Sequence, residues 1–268
     1  MESPWIAALF ALFVWWFSTG AILWLVRRSD NRGGDHHLLA TAFTAPLIVA
    51  GLAGLFESLA DPSPVGVYIA FGSALAIWGW IEIAFLSGVV TGPNLQPCRP
   101  DASERERFVS ALGTVMWHET LLIGALASIA TLSAGAENMF ALWTFLVLFC
   151  ARVSAKLNLF LGVPCINIDF LPGPLAHLPS HFRRGRVNRL FPASVTVLCL
   201  AVACWLERLH AAPHEGAVVG FALLTTLTLL ALLEHWFMVL PLADERLWRW
   251  MIPARKGRST RPRNGDGV

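Results

Sequence analysis

The chain has 268 residues, 56% of them hydrophobic and only 14% charged. A soluble domain carries about 25% charged residues, so this composition, with a mean hydropathy of +0.59, excludes an ordinary water-soluble enzyme and points to a chain embedded in lipid. The net charge is only +2, and where the charges fall says more than their sum.

A helix needs about 20 apolar residues to cross the hydrocarbon core, where only a helix satisfies its own backbone. Seven stretches qualify, near 5–26, 38–59, 66–90, 108–132, 138–163, 190–207 and 216–241. The expected fold class is all-α, a polytopic membrane helix bundle of about seven transmembrane helices filling residues 1–242. The first span has no basic residue before it and Arg27, Arg28 and Arg32 after it, which reads as an uncleaved anchor with its N-terminus outside. Pro46, Gly51 and Gly54 interrupt the second span, and Glu57 sits near its end.

Basic residues set the expected direction. Arg99, Arg105 and Arg107 follow the third span, and Arg183, Arg184, Arg186 and Arg189 follow the fifth. The tail adds Arg246, Arg249, Arg255, Lys256, Arg258, Arg261 and Arg263. Seventeen of the twenty Lys and Arg thus flank one side, only Arg208 lies on the other, and Arg152 and Lys156 lie within the fifth span. This is a positive-inside pattern and predicts N-out/C-in. Over 243–268, Leu247, Trp248, Met251 and Ile252 can share one helical face. That predicts an interfacial amphipathic segment beside membrane lipid, followed by a disordered basic tail.

The longest connection, about 164–189, is rich in proline and then in arginine, the kind of loop that often docks a partner. No nucleic-acid fold is visible, and topology explains the basic residues. The five cysteines, Cys98, Cys150, Cys165, Cys199 and Cys204, form no CxxC and read as free thiols. There is no Walker A motif, GxGxxG, HExxH or GxSxG, which argues against an enzyme without deciding the question.

The informative residues are ionisable groups where lipid is expected: Glu82, His118, Glu119, Arg152, Lys156, Glu234 and His235, with Asn158 nearby. Each charge at mid-membrane costs about 2.5–3.5 kcal/mol on insertion scales, so such groups face protein or water. Counted from the span ends, Glu82, His118, Glu119, Lys156 and Glu234 share one layer, with Arg152 one turn higher. Arg152 and Lys156 are spaced i, i+4 and lie on one face. Four readings stand open. The groups form interhelical pairs that hold the bundle. Or His118 or His235 is the axial ligand of a magnesium tetrapyrrole. Or Glu82, Glu119, Glu234 and the two histidines form a di-metal site, although adjacent Glu and His side chains point about 100° apart, unlike the Glu-x-x-His of known bundle sites. Or they line a proton or solute pathway, although no paired repeat is visible.

Several segments carry a resemblance to a known family. They are Trp15-Trp-Phe-Ser-Thr-Gly20, Trp78-Gly-Trp-Ile-Glu-Ile-Ala-Phe-Leu-Ser-Gly88, Thr91-Gly-Pro93, Trp117-His-Glu119, Leu142–Leu148, Ser154-Ala-Lys-Leu-Asn-Leu-Phe-Leu-Gly-Val-Pro164, Phe182-Arg-Arg184, Leu190–Thr196 and Leu233-Glu-His-Trp-Phe-Met-Val-Leu-Pro241. With these the chain resembles the PuhE family of photosynthetic-complex assembly proteins of purple phototrophic bacteria. Cys165 stands where the family pattern suggests a polar residue. The resemblance implies a multi-pass protein of the bacterial inner (cytoplasmic or intracytoplasmic) membrane, encoded near the reaction-centre H subunit. It implies partners among reaction-centre or light-harvesting subunits or pigment-synthesis enzymes, and bacteriochlorophyll or a precursor as the molecule handled. It carries over no site residues. The alternative is a membrane enzyme or carrier of bacteriochlorophyll metabolism using the Glu/His/Lys cluster.

Overall fold

The computed structural model describes residues 3–33, 35–168 and 171–241. The described chain is helical apart from short connections and one isolated bridge, Val163 with Arg184. It has seven helical spans long and apolar enough to cross a membrane. They are α1 (Pro4–Arg32), the pair α2 (His36–Phe43) and α3 (Pro46–Ser58), α4 (Pro64–Leu86), α5 (Glu104–Leu132), α6 (Phe140–Leu161), α7 (Leu190–His210) and α8 (Glu215–Phe237). The segment expected as an interfacial helix and basic tail, 243–268, lies outside the described residues.

Local chemistry explains most of the helix ends. Pro46 has no N–H to give the carbonyl of Ala42, which accepts from Ala45 N at 3.1 Å instead. The second span therefore breaks there and resumes as α3. Gly51 and Gly54 are not breaks but contacts: a Cβ on Gly54 would stand 2.4 Å from Ser73 Oγ, and one on Gly51 2.8 Å from Ile77 Cγ1. Their missing side chains let α3 lie directly on α4, as small residues do between membrane helices. The fourth span starts at Glu104, four residues before the expected 108. Ser103 and Glu106 form a capping box, which lets a charged first turn join the helix.

Two helices form the buried centre. In α4 and α8, 56% and 67% of the most apolar stretch is buried, against 17–22% in the others. One core packs Leu55, Ala70, Ala74 and Ile81 against Leu122 and Phe145. The other packs Ala7 and Ala11 of α1 and Val67 and Phe71 of α4 against Val219 and Leu223 of α8.

The arginine-rich connections meet at one end of the bundle. Asp30, in the last turn of α1, accepts from Gly173 N at 3.1 Å. Ser180 Oγ accepts from Cys98 N at 2.8 Å. Glu104 pairs with Arg183. At the opposite end Asn138 Nδ2 donates to Asp61 O at 2.8 Å, and Gly216 is pressed against Pro62 O. Successive spans thus run in alternating directions.

The connection 162–189 is a strap folded over the basic end. Gly162 ends α6 at φ 129, a conformation that favours glycine. Arg107 Nη1 donates to Phe160 O and His181 O at 3.0 and 3.1 Å, with its guanidinium 3.9 Å over the Phe160 ring. Asn188 caps α7, its Oδ1 accepting from Leu190 N and Phe191 N, while Nδ2 donates to Gly162 O at 2.8 Å.

Candidate functional site

Within the spans, α6 carries the two cations and its neighbours bring the carboxylates. Arg152 Nη2 donates to Glu82 Oε2 of α4 at 2.7 Å. One turn along, Lys156 pairs with Glu119 of α5. Lys156 Nζ also lies 5.3 Å over the Phe85 ring, close enough for a cation–π contact. On α8, Glu234 Oε1 accepts from Trp15 Nε1 of α1 at 3.0 Å. Glu82, Glu119, Arg152, Lys156 and Glu234 all line one cavity of about 710 Å³. Its walls are otherwise mainly apolar, with Trp15, Trp78, Phe85 and Phe237 among them and the strap at one end. Its volume is within the range of sites for cofactor-sized ligands, about 300–1,000 Å³.

Five of the eight expected site residues therefore meet at one cavity, and three do not. His118 is fully buried behind the wall. Its ring centroid is 4.3 Å from that of Phe85, and its Nε2 is 3.7 Å from Glu82 Oε1. Neither ring nitrogen has a hydrogen-bond partner, and neither does Glu82 Oε1. His235 faces away from Glu234, as neighbours on a helix must. Its Nδ1 contacts Ala231 O at 2.8 Å and its Nε2 contacts Ser154 Oγ at 2.9 Å. Both nitrogens are taken, so metal ligation by His235 would first have to break one of these contacts. Asn158 lies two residues past Lys156, on another face of α6. Its Nδ2 donates to Ser194 Oγ at 3.0 Å, and its Oδ1 accepts from Asn188 Nδ2 at 3.1 Å. It joins α6 to α7 and does not line the cavity.

The pairings also bear on the open readings. Among the described residues, no three His, Cys, Asp or Glu side chains come together as a metal site, so the di-metal reading has no geometry here. All five cysteines are free.

The strap contributes residues that sequence reasoning did not single out. His181 lines the cavity mouth. Its Nε2 contacts Ser110 Oγ at 3.0 Å and its Nδ1 contacts Ser180 Oγ at 3.2 Å. Burial holds its pKa below the ordinary imidazole value, aided by the nearby His177 and Arg107 charges and opposed by backbone hydrogen bonds. In the sequence Arg107 reads only as a topology signal. No local pattern marks it as the anchor of a loop about 75 residues further along.

No solved structure matches this chain. A protein of Rhodobacter capsulatus described as an uncharacterized 30.4 kDa protein in the puhA 5' region is 57% identical over 254 residues, covering 95% of this chain and 93% of the relative. Residues 1–259 match the family described as protein of unknown function DUF3623. With a match over nearly its whole length, this chain belongs to the DUF3623 family.

Proposed function

We propose that this protein is an accessory factor for building the photosynthetic reaction-centre and light-harvesting complexes, and that its membrane cavity carries bacteriochlorophyll or a late precursor. The observation that carries the reading is the cavity of about 710 Å³ between the spans, with aromatic side chains and two ion pairs on its wall. The puhA neighbourhood of the relative supports the photosynthetic assignment, as does the resemblance to the PuhE family. A flat, largely apolar ring with polar substituents suits walls of Trp and Phe broken by Arg, Lys and Glu. On this reading the basic end faces the cytoplasm of a bacterial inner membrane. There the strap residues Arg184 and Arg186 meet a subunit or a pigment enzyme, since Arg183 is already paired with Glu104.

The test is deletion of the gene in a phototrophic host. The near-infrared absorbance of assembled complexes should fall, and the wild-type gene should restore it. A cavity-filling Ala155→Phe variant, expressed at the same level, should not. Full rescue by that variant would remove the cavity from the account.

A second reading is favoured by one observation. His118 Nε2 and Glu82 Oε1 face each other at 3.7 Å with no hydrogen-bond partner for either, a gap that a small movement or one water would have to close before a proton could pass between them. An acid–base step on the pigment would make His118→Leu accumulate a precursor. A carrier would show the unchanged pigment profile.

A further inference from the structure

Arg152 brings more hydrogen-bonding capacity to the cavity than the protein uses. A guanidinium carries several N–H donors and is always charged. Among the described residues its single acceptor is Glu82 Oε2, reached from Nη2 at 2.7 Å, and its Nε is buried without a partner. The pair is also lopsided. Arg152 keeps 36% of its side-chain surface open and Glu82 only 9%. Both line the cavity, so what the cavity meets is chiefly the cation. The other oxygen of Glu82 is turned to His118. Lys156, one turn along, has less to offer. Its ammonium is a point charge, already held between Glu119 and the Phe85 ring. A partly desolvated guanidinium with idle donors on a mainly apolar wall is a seat for a planar anion, because Arg–carboxylate contacts are forked and charge-assisted.

Accepting the reading that the cavity carries a tetrapyrrole, on which this inference rests, we infer that it takes the pigment as a free acid, whose carboxylate is held by the idle N–H groups of Arg152. Bacteriochlorophyll itself offers no such group, since its propionate is esterified with a long alcohol. An ester carbonyl can accept a hydrogen bond but carries no charge, so Arg152 holds it more weakly. The carboxylates of Glu119 and Glu234 on the same cavity disfavour an anion elsewhere on its wall. The protein thus handles the pigment before its esterification rather than after it.

The experiment uses the full chain in lipid nanodiscs, titrated with chlorophyllide a and with its methyl ester, which differ by one methyl group. Binding is read from the shift of the pigment bands, each titration referred to empty nanodiscs. Wild-type protein should bind the acid at least about tenfold more tightly than the ester, the least that a charge-assisted hydrogen bond supplies. The double variant Arg152→Gln with Glu82→Gln removes both charges together, so that no carboxylate is stranded in lipid. It should still bind both pigments, the acid no more tightly than the ester. Arg152→Lys keeps a cation for Glu82 but loses the planar fork, and should lose most of the preference. Equal binding of acid and ester by wild type, tighter binding of the ester, or an intact preference in either variant overturns the inference and leaves the cavity reading standing. Binding of neither pigment by wild type overturns both.

Discussion

Replacing Lys156 by Met tests what the buried charges do for the fold. Lys156 and Glu119 keep 23% and 17% of their side-chain surface open, facing the cavity. Removing one partner of a buried pair costs about 3–5 kcal/mol, because the other charge is stranded. Partial access to the cavity moves the expectation to the low end, about 2–3 kcal/mol. For a domain of this size each kcal/mol lowers the melting temperature by about 2–4 °C, so Lys156→Met should melt about 5–10 °C below wild type. The added change Glu119→Gln removes the stranded carboxylate and should recover most of the loss. The assay is thermal unfolding in one detergent, followed by tryptophan fluorescence, for the wild type, both single variants and the double variant. Their cycle gives the coupling energy directly. Coupling near zero, with Lys156→Met melting like wild type, would refute the claim that this pair holds α5 to α6.

Three further outcomes are expected. Gly216→Ala puts a Cβ 1.9 Å from Pro62 O and should cost about 1–3 kcal/mol by overpacking, read as a lower melting temperature. Asn188→Ala removes the α7 cap and the tie to Gly162. It should cost about 1–2 kcal/mol and speed amide hydrogen exchange across 183–191. His181 has a depressed pKa in the folded chain, so the unfolded strap takes up its proton first. The stability it contributes is present above the ordinary imidazole value, about 6.5, and is lost as the pH falls through and below it. Strap amides should therefore exchange faster at pH 5 than at pH 7 after correction for intrinsic rates, and His181→Gln should flatten that difference.

Much of the bundle was legible because lipid leaves few choices. A run of about 20 apolar residues must be a helix, and each of the seven expected spans has its helix. The exceptions have local causes. The break at Pro46 follows from a missing N–H, and the early start of α5 follows from the Ser103–Glu106 box. The shared face of Arg152 and Lys156 is legible in their i, i+4 spacing, while their pairing with carboxylates is one of four readings that the sequence leaves open. The same angular reasoning could have separated Asn158, about 200° round from Lys156, and His235, about 100° from Glu234. The cavity was not legible, because its walls come from α1, α4, α5, α6 and α8 and from a strap whose anchor, Arg107, reads in sequence as one more arginine beside a span.

On the proposed function the cavity carries a tetrapyrrole. The most direct measurement is the absorption spectrum, from the near-ultraviolet to the near-infrared, of the full-length protein purified in mild detergent from a phototrophic host. Tetrapyrrole bands are expected in near-stoichiometric amount and should be lost in the cavity-filled Ala155→Phe variant. A spectrum showing only tryptophan absorption would contradict it and leave the buried charges the single task of holding the helices together.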